Sequence, residues 1–462
     1  MATVEEPPPS ANAESLASSG ARGVHLLRVL GVVFGLAVIV GNTIGAGILR
    51  TPGTVAAELP NVLLILGAWV VGAIYALLGA NSLAELGAMM PRSGGQYVFA
   101  RRAFGDYAGF VVGWSDWIST AGSAALVSIV IGECLVALFP ALAGGKELFA
   151  GAVVVAFALL QWRGINWGSR AQNLTSLLKA LAFLALVAAC FALGGGGAFS
   201  RGAYDVVHVE TSALRLVSVT VALQAIIYAY DGWTGVIYFS EEVRDPARDI
   251  PRSMFGGVLS VAAIYLLVNA ALLYVLPLEV LGTSELAAGA AAGAIFGPRG
   301  DALIRVLTIV ALLSSVNALQ LIASRVPFAM SRDRLFPERA VRVNRGGTPT
   351  VALLAGTLVA LAFIATGTFN QVLGVAAFFF VANYTVSFAA LFALRRREPD
   401  ATRPFRAWGY PFTNALALAA SLAFLAGMVK DDTRNSIYAL AALAASYPAF
   451  ILLRRSRAGG AG

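Results

Sequence analysis

The sequence has very few of the residues from which metal sites and most catalytic centres are built. Among 462 residues there are two histidines, His25 and His208, and two cysteines, Cys134 and Cys190. Both cysteines lie in apolar stretches, so we expect neither a disulfide framework nor a cysteine-based metal site. No catalytic constellation is visible either. We therefore predict a protein that is not an enzyme and that uses no cofactor.

Charged residues are also scarce. They make up 13% of the chain, whereas 58% of the residues are hydrophobic. A soluble protein of this length cannot hide so much apolar surface, so the composition predicts a polytopic membrane protein. The formal net charge of +8 then indicates basic cytoplasmic loops rather than a surface that binds nucleic acid.

Long apolar runs follow one another along the chain. The pattern predicts an all-α membrane protein with twelve transmembrane helices. They fall near residues 27–57, 62–90, 107–139, 148–165, 171–195, 213–240, 254–277, 300–331, 350–366, 371–394, 411–429 and 436–453. The Ala/Gly-rich stretch 282–297 is too short to span, and we expect an external loop with a short helix there.

The distribution of basic residues predicts the orientation. Most of the 33 Lys and Arg residues fall in alternate loops, on the side that also holds both termini. The positive-inside rule places that side in the cytoplasm, which gives a multi-pass protein of the inner (plasma) membrane. Residues 1–23 are rich in Pro, Ser, Ala and Glu, and we expect a disordered cytoplasmic tail rather than a cleaved signal peptide.

The first apolar segment contains an unusual break. Gly41, Gly45 and Gly47 fall within seven residues, and Thr51-Pro52-Gly53 follows. A helix interrupted in mid-membrane exposes backbone groups that lipid cannot satisfy, so such a break is expected to line a protected cavity. Close packing of helices through small residues is the alternative explanation for the glycines.

The sixth segment breaks as well, at Asp231-Gly232. Two interrupted spans that lie five helices apart are typical of an inverted repeat of five plus five helices, with a binding site between the breaks. We therefore predict a first repeat over 24–195, a second over 213–394, and two appended helices over 411–455.

The two breaks together predict a site for the two charges of an α-amino acid. Free N–H groups after the first break suit a carboxylate, and free carbonyls near Tyr228–Tyr230 suit an ammonium group. The predicted substrate-binding residues are Ile44, Gly45, Ala46, Gly47, Ile48, Tyr228, Ala229, Tyr230, Asp231 and Gly232. Asp231 has two interpretations: it caps the helix that follows the break, or it contacts the substrate.

Lys179 is a cation inside the fifth segment, where a charge indicates function and requires a partner. Asp116 and Glu133 on the third segment are the candidate acids, and Asp116 fits better by depth. The pair is either a static brace or a site whose protonation couples to transport. On the eighth segment, Ser314, Ser315 and Asn317 either bond to their own helix or face the first break.

Aromatic residues near the breaks either gate the cavity or pack in the core. Tyr228 is the one for which gating is favoured. The others are Tyr230, Trp233 and Phe378–Phe380.

Several motifs, in order along nearly the whole chain after the tail, resemble the amino acid–polyamine–organocation superfamily. Within it the chain is similar to bacterial relatives of the L-type amino acid transporters. The motifs are Ile44–Ile48, Ala84–Gly87, Pro91–Tyr97, Ala103–Gly105, Tyr228–Trp233, Glu241–Val243 with Pro246 and Ile250-Pro251, Ser315–Ala318, Ser324-Arg325, Ala329–Asp333, Phe336-Pro337 and Thr348-Pro349.

The resemblance implies a LeuT-type fold with discontinuous helices one and six, and alternating access. It also implies that Lys179 takes the place of a sodium ion and bridges the first break and Ser315. Sodium independence follows from that. Phe is common in the family at the position of Tyr228, and Gly is common at the position of Asp231. Animal exchangers of the family pair with a heavy subunit through an external cysteine. No cysteine here lies in a predicted external loop, so we expect no such disulfide-linked partner.

The sequence therefore predicts a sodium-independent transporter of L-amino acids that works as an exchanger, with a proton symporter as the alternative. Neutral substrates are favoured because no acid is clearly placed in the pocket, although Asp231 keeps cationic substrates open. A membrane sensor that binds amino acids without transporting them is the alternative from another class. The short tails, without a signalling domain, argue against it.

Overall fold

A computed structural model describes residues 26–198, 216–284, 286–366, 369–431 and 433–458. Within these ranges the chain is helical and contains only two isolated β-bridges. Apolar segments of this length bury their backbone polar groups in helical hydrogen bonds, which a membrane requires. The predicted tail over 1–23 lies outside the described residues.

Sixteen α-helices are described. They are α1 (Val32–Thr43), α2 (Ala46–Glu58), α3 (Val62–Met89), α4 (Gln96–Phe104), α5 (Asp106–Leu138), α6 (Lys146–Trp162), α7 (Ile165–Leu193), α8 (Leu216–Tyr230), α9 (Pro246–Val275), α10 (Leu278–Thr283), α11 (Ala287–Phe296), α12 (Gly300–Arg332), α13 (Thr350–Thr366), α14 (Phe369–Arg397), α15 (Phe412–Asp431) and α16 (Thr433–Ala458).

Each of the twelve predicted segments overlaps at least one of these helices. Eight helices in the described part of the chain are long and apolar enough to cross a membrane, and α1 with α2 forms a ninth span if the bent pair counts as one. The helices α6, α8 and α13 are shorter, at 15 to 17 residues. The all-helical prediction is confirmed. The count of twelve spans and the five-plus-five repeat stay predictions.

The burial pattern separates a central layer from a lipid-facing one. The helices α5 and α12 pack along each other, and α12 is buried over most of its length. Large apolar side chains are exposed on the outer helices, for example Leu63, Leu148 and Phe412. An exposed apolar surface of this extent is stable only in contact with lipid. Between α9 and α12 lie the short helices α10 and α11, where a loop with a short helix was predicted.

A buried ion pair joins α12 to the segment that follows the second break. The guanidinium of Arg325 donates two hydrogen bonds to Glu242, each 3.0 Å long, and both side chains are fully buried. Beside it, the backbone of Glu242 and Arg244 pairs with Leu30, just before α1. Arg325 and Glu242 therefore tie together three parts of the chain that flank the interrupted helices.

This ion pair gives a stability prediction. Arg325→Met leaves Glu242 charged and unpaired in the interior, so we expect it to cost about 3–5 kcal/mol of stability. Adding Glu242→Met should recover much of that loss, because the unpaired charge is then gone. The measurement is thermal unfolding of the purified protein in detergent.

The matched control is Arg305→Met. Arg305 pairs with Asp301 one turn away at the surface, and both side chains are substantially exposed. Such a pair contributes below about 1 kcal/mol. Equal losses for Arg305→Met and Arg325→Met would contradict the importance of the buried pair.

Candidate functional site

The first break lies where the sequence places it. Helix α1 ends at Thr43, α2 begins at Ala46, and the two are bent by 50°. Ile44 is extended, and no side chain caps the start of α2 at Gly45. The first N–H groups of α2 therefore lack intrahelical acceptors, and they form the partially positive end of that helix.

Lys179 on α7 holds the other side of this break. It is fully buried, and its Nζ donates to Gly41 O at 2.8 Å, to Ser315 Oγ at 2.9 Å and to Ile44 O. Ser315 in turn donates to Gly41 O at 2.8 Å. The carbonyls belong to the C-terminal end of α1, which carries a partial negative charge. The Lys179 ammonium group therefore donates all three of its protons to oxygens at or beside the C-terminal end of α1.

The predicted ion pair between Lys179 and Asp116 is wrong. Within the described residues Lys179 forms no ion pair with a carboxylate, because carbonyl and hydroxyl oxygens occupy all three of its donors. Asp116 instead accepts from Thr120 on its own helix α5, and the Tyr238 hydroxyl lies beside it. Glu133, the other candidate, lies near Lys146 at 3.9 Å.

A second layer of polar contacts supports the same region. Ser176 on α7 donates to Ala37 O at 2.7 Å and hydrogen-bonds with Ser314 of α12. Gln172, also on α7, donates to Ala37 O and to Ser314. Ser314 and Ser315 thus both face the first interrupted helix. Asn317 does not, since it hydrogen-bonds with α6 and α7 instead.

The second break begins after Tyr230. Residues 231–234 form a turn, and Gly235–Phe239 forms a 3-10 helix without a side-chain cap. The interpretation of Asp231 as a helix cap is therefore wrong. Its carboxylate accepts a hydrogen bond from the Tyr384 hydroxyl of α14 instead. A 3-10 turn follows the break, so there is no α-helical N-terminus for Asp231 to cap.

The two breaks contact each other. Asn42 Nδ2 donates to Gly232 O at 3.3 Å. Gly232 has φ +111°, and a Cβ there would lie 2.9 Å from the backbone of Asn42 and Thr43. A Cβ on Gly47 would lie 3.2 Å from Ala229 Cα. Glycine at these positions permits the close approach of the two chains.

Tyr265 of α9 joins the breaks from behind. Its hydroxyl lies 2.8 Å from both Thr43 O and Ala229 O, so one proton is shared between the ends of α1 and α8. The ring is fully buried against Trp69 and Tyr230. Tyr265 was not predicted from the sequence, because a single tyrosine inside an apolar span carries no local signal.

A cavity of about 230 Å³ lies against these breaks. Six of the predicted binding residues line it: Gly45, Gly47, Tyr228, Ala229, Asp231 and Gly232. Ser315 lies on the wall too, and Phe380 is the member of the Phe378–Phe380 group that reaches it. Tyr228 is 38% exposed, which fits a side chain that borders an open space.

Other predicted residues serve the core instead. Ile44 and Ile48 are fully buried, and Tyr230 donates to Trp69 O. Trp233 packs on Tyr384. These four side chains do not line the cavity, because each points into the contacts between helices. Ala46 contributes its backbone to the start of α2.

The carbonyls of the second break are partly occupied. Ala229 O accepts from Tyr265, and Tyr228 O accepts from the Asp231 N–H at 3.1 Å. An ammonium group here would share these oxygens with internal donors. The neighbouring carboxylate of Asp231 is the stronger acceptor on this part of the wall.

Two acids line the cavity. The prediction of neutral substrates was based on the absence of an acid clearly placed there. Asp116 and Asp231 both line it, and one basic residue among its lining residues, Arg50, lies beyond the first break on α2. Gln96 and Tyr238 also reach the wall and were missed. They come from a short helix and a 3-10 turn, whose positions only the tertiary structure determines.

An all-helical membrane protein with a small cavity between two breaks in its helices belongs, as a class, to the transporters of small solutes. Comparison with known proteins agrees, since residues 26–446 match the amino acid permease family. The chain belongs to this family, which is part of the superfamily that its motifs resemble. Its relatives are transporters and not enzymes.

Three relatives illustrate the range of proteins to which this chain is similar. The serine/threonine exchanger SteT of Bacillus subtilis is 28% identical over 94% of this chain and 98% of its own length. The large neutral amino acids transporter small subunit 2 of Mus musculus is 28% identical over 85% of this chain and 75% of its own. An uncharacterized transporter of Mycobacterium bovis is 31% identical over 80% of this chain and 81% of its own.

Gly47 gives the first test of the site. Gly47→Leu places a side chain against Ala229 and in front of the free N–H groups of α2, so we expect amino acid binding to be abolished while the protein still inserts. Binding is measured by the ligand-induced rise in unfolding temperature. The control is Gly67→Leu on α3, where a side chain meets open space. Normal binding by Gly47→Leu would contradict the carboxylate site.

Lys179 gives the second test of the site. Lys179→Ala removes three hydrogen bonds to the first break, and we expect transport to fall by at least about tenfold, as bonds to a charged group predict. Ser315→Ala should have a smaller effect in the same direction. The matched control is Lys430→Ala, at the exposed end of α15. If uptake assays show equal losses for Lys179→Ala and Lys430→Ala, Lys179 has no special role.

Proposed function

We propose that this protein is a sodium-independent exchanger of L-amino acids that works by alternating access. The observation that carries the proposal is the cavity between the two breaks, with the uncapped start of α2 on its wall. Free N–H groups at the positive end of a helix bind a carboxylate with no further side chain. Asp231 and the carbonyls of the second break supply the acceptors for the α-ammonium group.

Lys179 supports sodium independence. Two carbonyl oxygens and a hydroxyl oxygen, gathered around one point, are hard ligands of the kind that bind a metal cation. Here the ammonium group of Lys179 occupies that point. This group is part of the chain and itself stabilises the broken end of α1, so no dissolved cation is required.

Neutral substrates are part of the proposal. They are supported by what the names of two relatives state, namely exchange of serine and threonine by SteT and transport of large neutral amino acids by the mouse protein. Exchange is likewise supported by the name of SteT. Hydrogen bonds to the backbone recognise the groups that all amino acids share, and the rest of the wall selects the side chain.

The architecture that goes with this function is a LeuT-type fold of twelve spans. Its two repeats occupy 24–195 and 213–394, with two further helices over 411–455. Both termini lie in the cytoplasm, and the membrane is the plasma membrane. Cys134 and Cys190 are both buried, which supports a chain that works without a disulfide-linked heavy subunit.

A proton symporter is the alternative, and one observation favours it. Asp116 is an almost fully buried acid on the wall of the same cavity. A buried carboxylate without a cationic partner is the kind of group that takes up and releases protons. In that case uptake requires a pH gradient and no amino acid on the opposite side.

Uptake into proteoliposomes separates the two modes. For an exchanger we expect uptake of labelled threonine to rise at least about tenfold when the vesicles contain unlabelled amino acid, since an empty carrier returns slowly. Replacing sodium by choline should change nothing. Strong uptake into empty vesicles, driven by a pH gradient, would contradict exchange. A thermal-shift screen against the twenty amino acids selects the substrates.

A further inference from the structure

We infer that Asp116 is the side-chain specificity residue of the cavity, and that it selects amino acids whose side chain ends in a hydrogen-bond donor. The inference rests on the proposed function, because it names the class of substrate that the same cavity takes. The chemistry in question is a hydroxyl group, as on the neutral amino acids proposed above, or an ammonium group, which extends the proposed substrates to cationic amino acids.

The wall that α5 contributes is graded in polarity. Its lining residues recur every three to four positions, as expected for one face of a helix. Along α5 they are Asp116, Thr120, Ser123, Leu126, Val127 and Val130. The end near Asp116 is polar and the other end is apolar. A substrate side chain that lies along this face meets a carboxylate, which accepts hydrogen bonds, at one end only.

Asp116 has spare accepting capacity. Thr120 Oγ1 donates to Oδ1 at a long 3.4 Å, and no hydrogen bond of normal geometry reaches Oδ2 from the described residues. A carboxylate has about four acceptor positions. The side chain is only 1% exposed, so a ligand reaches it with the tip of a narrow group rather than along a broad face.

The polar neighbours of Asp116 supply only one further donor to its carboxylate. Gln96 donates to the Tyr238 hydroxyl at 3.3 Å and accepts from Ser387 at 3.0 Å. The Tyr238 hydroxyl accepts from Gln96, and its own proton is left for one neutral hydrogen bond to the Asp116 carboxylate beside it. No described cation is paired with Asp116, since the three donors of Lys179 are all taken by Gly41, Ile44 and Ser315. The carboxylate is therefore the under-satisfied member of this polar cluster.

The α-amino and α-carboxylate groups have other partners. The carboxylate takes the free N–H groups of α2, and the α-ammonium group lies at the second break near Asp231. Asp116 is on a third element, α5, at neither break. A group that contacts Asp116 therefore comes from the variable part of the substrate, which makes this residue a determinant of side-chain choice.

The energetic expectation follows from the cost of an unsatisfied acceptor. An apolar side chain of the same shape leaves the carboxylate unsatisfied and removes water from it, whereas a donor completes its hydrogen bonding. Sites that hydrogen-bond a substrate hydroxyl discriminate strongly against analogues that lack it. We expect wild-type protein to favour threonine over valine, and serine over alanine, by about tenfold or more.

The experiment is competition for uptake into proteoliposomes, with matched substrate pairs. Threonine against valine tests a hydroxyl donor, and lysine against norleucine tests an ammonium donor. A preference of about tenfold for either donor supports the inference. Ratios near one for both pairs in the wild-type protein overturn it. Absence of uptake for every amino acid would instead contradict the proposed function.

Variants then assign the preference to Asp116. Asp116→Val should reduce uptake of the donor substrate to the level of its apolar partner, so that the ratio approaches one. Asp116→Asn keeps an acceptor without the charge. It should retain part of the threonine preference and lose a lysine preference. It also serves as the second variant where Asp116→Val does not fold.

The matched control is Asp106→Val, at the exposed start of the same helix, which should leave the ratios unchanged. An unchanged donor preference in folded Asp116→Val, or in Asp116→Asn for lysine, would overturn the assignment. A residue with a purely structural role would lower uptake of both members of a pair together. The ratio within a pair is therefore the readout that separates specificity from structure.

Discussion

The ammonium group of Lys179 at the C-terminal end of α1 is the contact on which the site depends. A helix that stops within a membrane leaves carbonyl groups without partners, and lipid offers them no donor. Lys179 supplies three donors to Gly41 O, Ile44 O and Ser315 Oγ, and its charge opposes the negative end of the helix. These hydrogen bonds offset both the cost of burying the cation and the cost of leaving the carbonyl groups of the broken helix without helical partners. The start of α2 is then free to face the cavity.

The second break is stabilised by different means, and this difference shapes the cavity. Tyr265 bridges Thr43 O and Ala229 O, while Tyr384 holds Asp231. These are neutral hydroxyl donors, so the second break keeps a carboxylate on the wall without an internal cation. The resulting cavity has a positive helix end on one element and acids on two others. That asymmetry suits a zwitterion and leaves Asp116 for the substrate side chain.

Much of this was predictable from sequence, because breaks in apolar runs and charges inside them are local signals. The interruptions at Gly45 and Asp231 follow from such signals, and a charge inside an apolar segment already indicated that Lys179 needs a partner. The local pattern left the orientation of Ser314 and Ser315 open, and only the family resemblance implied the contact between Ser315 and Lys179. The partner of Lys179 could not be predicted from such local signals. Depth along a helix brings Asp116 and Lys179 to similar levels, but it does not say which face of each helix is turned to the other. The helix-cap interpretation of Asp231 was also wrong, since a 3-10 turn rather than an α-helix follows it.

By itself, the sequence determined the class of protein and the position of both breaks, because hydrophobic length and glycine content act within a single segment. Only the tertiary structure decided which side chains complete the site. Tyr265, Tyr384, Gln96 and Tyr238 come from separate elements, and no local pattern distinguishes them from other polar residues in membrane helices. The tertiary structure also decided that the Asp116 side chain is turned toward the cavity and not toward Lys179. Rotation of a helix about its axis depends on packing against all its neighbours, and for a mostly apolar helix such as α5 the local sequence leaves that rotation open.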